Sequence, residues 1–218
     1  MNRSLARRLG VAALASGLLI AWACGSGHSR PAGILLITLD TTRADHLGCY
    51  GDQSATTPNL DALANEGVRF DQAMAAVPVT LPSHATMFTG LYPPTHGVRY
   101  NGMFRLGDAS MTIAERLREA GFATGAVPAA YPVNAKSGLS QGFDIYEDLF
   151  SKPGASRLSV DTMRVATDVV KIGLETIRAA GSKPFFVWLH FYDPHYPYVP
   201  PFPYSSKFRD HPYDGEIA

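Results

Sequence analysis

Gly33-Ile34-Leu35-Leu36-Ile37-Thr38-Leu39 is a continuous apolar run that ends on an acid, Asp40. A run of this kind reads as a strand buried on both faces, as strands of parallel sheets are. Open α/β sheets gather ligands at the carboxyl ends of their strands, where the following loops form a crevice. Asp40 is therefore read in two ways, as a helix N-cap or as a metal ligand.

Working outward, the rest of the chain alternates. Thr57-Pro58-Asn59-Leu60 carries an N-cap and a first-turn proline, with Gly67 as stop. Thr112 to Ala120 carries a Thr cap, Glu115 at the capping-box position and Gly121 after it, so it reads as a helix. Phe122 to Val127 reads as a short strand, Gly142 to Tyr146 as an irregular or edge segment, and Val160 to Ala180 as an amphipathic helix. Pro184 to Phe191 (Pro-Phe-Phe-Val-Trp-Leu-His-Phe) is a second strongly apolar strand. Strands alternating with helices predict an α/β fold, a mostly parallel sheet sandwiched by helices.

Two stretches carry chemistry. Thr80-Leu-Pro-Ser-His-Ala-Thr-Met-Phe-Thr-Gly90 puts a hydroxyl in a turn fixed by Pro82, offers Ser83 as an N-cap, and starts a helix that Gly90 ends. A hydroxyl near the positive end of a helix dipole suits a nucleophile that meets an anionic ester. His190-Phe191-Tyr192-Asp193-Pro194-His195 closes the second strand. Its histidines and acid can bind an oxyanion, give a proton to a leaving group or ligate a metal; an Asp-Pro turn with surface histidines is the other reading. Lys136 reads as a solvated loop lysine, His96 reads equally as structural or ligand-facing, Asn101-Gly102 reads as a turn, and Arg43 and Asp45 read as a local pair or cap.

These segments, in this order, resemble the sulfatase family within the alkaline phosphatase superfamily: Leu39-Asp-Thr-Thr-Arg-Ala-Asp-His-Leu-Gly-Cys-Tyr-Gly51, Thr57-Pro-Asn-Leu-Asp-Ala-Leu-Ala64, the Thr80 stretch, and His190 to Tyr198. The resemblance covers residues 32 to 218 and implies an alkaline phosphatase-like fold and a metal-dependent hydrolase of sulfate or phosphate esters. It makes Asp40 a metal ligand, Thr80 both nucleophile and metal ligand, and His195 the group that assists the leaving oxygen. His84 stands where the family has arginine, and is a candidate catalytic residue.

Three departures qualify the resemblance. Sulfatases place Cys or Ser at the Thr80 position and oxidise it to an aldehyde that threonine cannot yield; Thr-Leu-Pro-Ser-His is similar to the motif of phosphodiesterases that use an unmodified threonine. Asp40 is followed by Thr41 rather than a second acid, which leaves calcium, zinc and manganese all open as the divalent metal. Gly125 to Ala130 lacks the lysine and histidine that hold sulfate in many relatives. Two other classes stay open, an envelope phosphotransferase of the phosphoethanolamine transferase type and a non-catalytic binding lipoprotein.

Residues 1–24, with Arg3, Arg7 and Arg8 before an apolar stretch ending Ala-Trp-Ala-Cys24, read as a bacterial export signal of lipoprotein type. Residues 25–31 read as a tether to a partial catalytic domain at 32–218. The expectation is an envelope or periplasmic protein, anchored to the membrane at Cys24 and acting on a small-molecule, glycan or lipid ester. Equal numbers of basic and acidic side chains, 19 each, with no basic stripe, argue against nucleic acid as a partner. Full-length relatives supply a further Asp-His or Asp-Asn metal pair later in the chain, so the resemblance implies an N-terminal fragment.

Overall fold

The computed structural model describes residues 33–148 and 163–218. The expected leader, tether, Cys24 and the expected helix start at Val160 lie outside them. Four strands form one all-parallel sheet: β1 (Gly33–Leu39), β2 (Ala123–Val127), β3 (Ile145–Tyr146) and β4 (Phe185–Phe191), in the spatial order β1-β4-β2-β3. The last strand in sequence thus lies between the first two. Leu36 pairs with Trp188, Thr38 with His190 and Leu39 with Phe191, while Val127 pairs with Leu189 on the other side.

The helices are α1 (Pro58–Glu66), α2 (Thr80–Thr89), α3 (Pro93–His96), α4 (Ile113–Glu119), α5 (Ala166–Ala179), α6 (Tyr204–Lys207) and α7 (Pro212–Ile217). They cover the sheet according to its two-residue alternation. Phe186 and Trp188 point to one face and pack with Leu81, Ala85 and Phe88 of α2, and with Phe143. Val187 and Leu189 point to the other, where Val169 of α5 meets them and Ile172 packs alongside. Gly173 lets α5 approach closely, since a Cβ there would lie 2.7 Å from a Leu189 methyl.

Local signals hold where the bonding is local. The Thr112 capping box is present in full, with Glu115 N–H donating to the Thr112 hydroxyl and Thr112 N–H to the Glu115 carboxylate. Gly90 adopts φ 70° immediately after α2.

Three expectations need correction. β1 is not buried on both faces: it is an edge strand of the described sheet, and the face bearing Leu35, Ile37 and Leu39 stays open while Ile34 and Leu36 pack on the core. Ser83 is not an N-cap, because α2 already begins at Thr80 with Val79 before it, and Ser83 N–H donates to Val79 O at 3.1 Å. The α5 helix begins at Ala166 rather than Val160. Val165 sits before its first turn in extended conformation, and Asp193 supplies the cap from a distant loop.

Candidate active site

The alternation of β1 carries Thr38 and Asp40 to the α2 side of the sheet. Asp40 N–H donates to Phe191 O at 3.0 Å, which extends the pairing one residue past the strand. On the neighbouring strand His190 points to the same side and is fully buried. Ala129 N–H donates to its Nδ1 at 3.2 Å, so the ring proton sits on Nε2, 3.4 Å from Asp40 Oδ2. Burial alone would raise the Asp40 pKa. Hydrogen bonding from His190 Nε2–H and from the nearby Thr80 hydroxyl outweighs it and holds the carboxyl below its ordinary value, hence ionised.

Thr80 opens α2 and lines the same cavity as this carboxylate, near enough for its hydroxyl to help lower the Asp40 pKa. In the same first turn Pro82 has no N–H, and Leu81 N–H donates to Asn101 Oδ1 at 2.8 Å. That bond orients the Asn101 carboxamide, leaving its NH2 as the other end, and Asn101 lines the same cavity as Thr80. Sequence reasoning missed this residue. Asn-Gly signals a turn, and nothing local to it reveals a partner in a helix much earlier in the chain.

His84 is held on both sides. Nδ1–H donates to Thr80 O at 2.8 Å, and Nε2 accepts from the Thr38 hydroxyl at 3.1 Å, which itself receives Trp188 Nε1–H at 3.0 Å. Burial pushes its pKa down to about 4. The ring is neutral and both nitrogens are committed, so its evident action is on the backbone of Thr80. His195 is placed differently. It is half-buried, stacks on Tyr192 with ring centroids 4.2 Å apart, and donates Nδ1–H to Tyr196 O at 2.8 Å. Its Nε2 has no hydrogen-bond partner among the described residues.

Asp40, Thr80, His84, Asn101 and His195 line one open cavity of about 690 Å³. A second, mostly apolar cavity of about 320 Å³ meets it at His195 and is bordered by Tyr192, Asp193, Val199 and Glu216. Of the other residues weighed, His96 makes a local turn, accepting Val98 N–H at Nδ1 at 3.1 Å, and exposed Lys136 lies outside the site. Arg43 and Asp45 pair with each other, Nε to Oδ1 at 2.9 Å.

The donor set can be tested against a divalent cation. Asp40 and Thr80 offer two oxygens on adjacent elements, which fit a hard cation in kind. They fall short of the four to eight ligands such ions take. Among the described residues no group of three or more His, Cys, Asp or Glu could hold a metal ion.

The model of the family described as Sulfatase matches residues 33–217. Over 105 residues the chain is 40% identical to mouse (Mus musculus) steryl-sulfatase, covering 44% of this chain and 17% of that protein. It is 28% identical over 221 residues to the uncharacterized sulfatase YidJ of Escherichia coli strain K12, covering 87% of this chain and 44% of that one. Among solved structures, the phosphonate monoester hydrolase of Agrobacterium radiobacter superposes with a TM-score of 0.62 at 26% identity, covering 81% of this chain and 44% of that chain. The chain therefore spans less than half the length of these relatives.

Proposed function

The chain belongs to the sulfatase family, and from that premise we propose that it serves as the nucleophile-bearing part of a metal-dependent hydrolase of sulfate or phosphate esters. The reading is supported chiefly by one observation: Asp40 and Thr80, far apart in sequence, meet in a cavity that also contains His195.

Members of the family depend on a divalent metal. Asp40 and Thr80 would supply two of its ligands here. When bound, it would acidify the hydroxyl and neutralise charge on the transferred group. The remaining work falls to side chains. His84 donates to the Thr80 carbonyl and so helps hold the first helical turn that carries the hydroxyl. Thr80 Oγ1 gives its proton to solvent water and attacks the sulfur or phosphorus, the bond to the leaving oxygen breaks, and protonated His195 gives its Nε2 proton to that oxygen. The Asn101 NH2, on a residue that lines the cavity, would face the equatorial oxygens, where charge grows. Water then releases Thr80. The unmodified threonine and the likeness to a phosphonate monoester hydrolase favour phosphodiester or phosphonate esters beside sulfates. Export as a lipoprotein through Cys24 is part of the same proposal, supported by the basic and apolar leader.

Turnover of bis(p-nitrophenyl) phosphate, p-nitrophenyl phenylphosphonate and p-nitrophenyl sulfate with added Ca²⁺, Mn²⁺ or Zn²⁺ tests this. Thr80→Ala is expected to lower kcat by at least about 10³-fold with an unchanged circular dichroism spectrum. Wild-type turnover by the variant would remove Thr80 as nucleophile.

A further inference from the structure

Thr41 has φ 57°, the left-handed region, and is the one non-glycine residue with positive φ among the described residues. A β-branched side chain is strained there, and such strain persists only where the surroundings over-determine the conformation. Here they do. The Thr41 hydroxyl donates to Pro194 O at 2.8 Å, and Tyr213 Oη–H donates to Thr41 O at 2.7 Å. The same Tyr213 oxygen accepts Arg43 N–H at 2.9 Å, so one phenol clasps the turn after Asp40 from both sides.

Both ends of this clasp lead to the site. Thr41 follows Asp40 directly, and Pro194 directly precedes His195. The far side of the same loop is pinned to α5, where Asp193 Oδ1 accepts Ala166 N–H at 2.9 Å. Around Tyr213, α7 makes two more ties: Asp214 Oδ1 to His46 Nδ1 at 2.5 Å, and Glu216 Oε1 to Val199 N–H at 2.5 Å. The His195 loop thus hangs between α5 and the Asp40 turn, and among the described residues the Thr41 hydroxyl is the side-chain hydrogen bond that connects it directly to that turn.

We propose that Thr41, clasped by Tyr213, is a positioning residue that sets the separation of His195 from Asp40 across the cavity. Its catalytic consequence rests on the ester-hydrolase reading above; the mechanical coupling does not. Thr41→Ala removes the hydroxyl, Thr41→Ser keeps it, and Tyr213→Phe removes the clasp on the carbonyl.

Native-state hydrogen exchange on the chain as it stands, without metal or substrate, reads the coupling. Thr41→Ala is expected to speed exchange of the amides of residues 192–199 by about fivefold to tenfold, the loss of one partly buried hydrogen bond. Amides of Ile113 to Val127 should be unchanged, Thr41→Ser should restore wild-type protection, and Tyr213→Phe should resemble Thr41→Ala. In the turnover assay Thr41→Ala should lower kcat and leave KM near wild type. Unchanged exchange at 192–199, an equal rise at Ile113 to Val127, or failure of Thr41→Ser to rescue would overturn the coupling. A faster-exchanging loop with undiminished kcat would overturn the positioning role. If even wild type turns nothing over, the hydrolase reading fails, and the exchange result still decides whether Thr41 ties the two segments.

Discussion

Each group in the candidate site has its state set by identifiable neighbours. The His190 proton is on Nε2 because a backbone amide occupies Nδ1, and Asp40 is ionised because that proton faces it. His84 is neutral because it is buried with a carbonyl on one nitrogen and a hydroxyl on the other. Asn101 shows the same logic. Its carbonyl oxygen is fixed by Leu81 N–H, which leaves the amide donors as the free end of a residue that lines the cavity. Asn101→Ala is expected to lower kcat by about 10²-fold, the usual loss of one oxyanion donor. It should also cost about 1 kcal/mol of stability, because Leu81 N–H loses its partner. A parallel kinetic and urea-unfolding comparison with wild type checks both. Full activity in Asn101→Ala would reduce that residue to a cap on α2.

At the scale of elements, short local motifs are joined by close backbone contacts. The capped turn that starts α4 packs on the loop before β3: the Thr112 hydroxyl reaches Gln141 O at 3.0 Å, and Gly142 follows with φ 86°. A Cβ on Gly142 would lie 2.1 Å from Glu115 N and 2.6 Å from Ala114 C, both backbone atoms that cannot rotate away. Gly142→Ala is therefore expected to destabilise the chain by roughly 3 kcal/mol, from overpacking plus an unfavourable φ. The urea midpoint measures this, and a loss well under 1 kcal/mol would show that the contact yields easily. Such an element was half legible beforehand. The capping box of α4 is spelled out by Thr112 and Glu115, whereas the glycine that lets β3 approach it looks like any other loop glycine.

The whole molecule centres on β4. Trp188 and His190 are fully buried there, whereas Ile37 on β1 is 47% exposed and Leu189 only 6%. Leu189→Ala should cost roughly 2–5 kcal/mol, and Ile37→Ala at most about 1 kcal/mol, since its outer face has little packing to lose. Equal losses in thermal or urea unfolding would contradict the edge placement of β1. The sequence by itself determined the kinds of elements, most of their ends, the family motifs, and Asp40, Thr80 and His195 as residues to watch. The elements and their ends follow from periodicity, caps and turn residues, which act over a few positions; the motifs and those three residues follow from the resemblance to the family. The sequence also mistook β1 for a doubly buried strand, because an apolar run does not reveal which of its faces is covered. Only the tertiary structure decided that β4 lies between β1 and β2, that His190 therefore faces Asp40, that Asn101 comes under α2, and that Thr41 ties the Asp40 turn to the His195 loop. Strand order, ring tautomers and cross-chain hydrogen bonds depend on partners distant in sequence, and no local pattern encodes which distant partner will arrive.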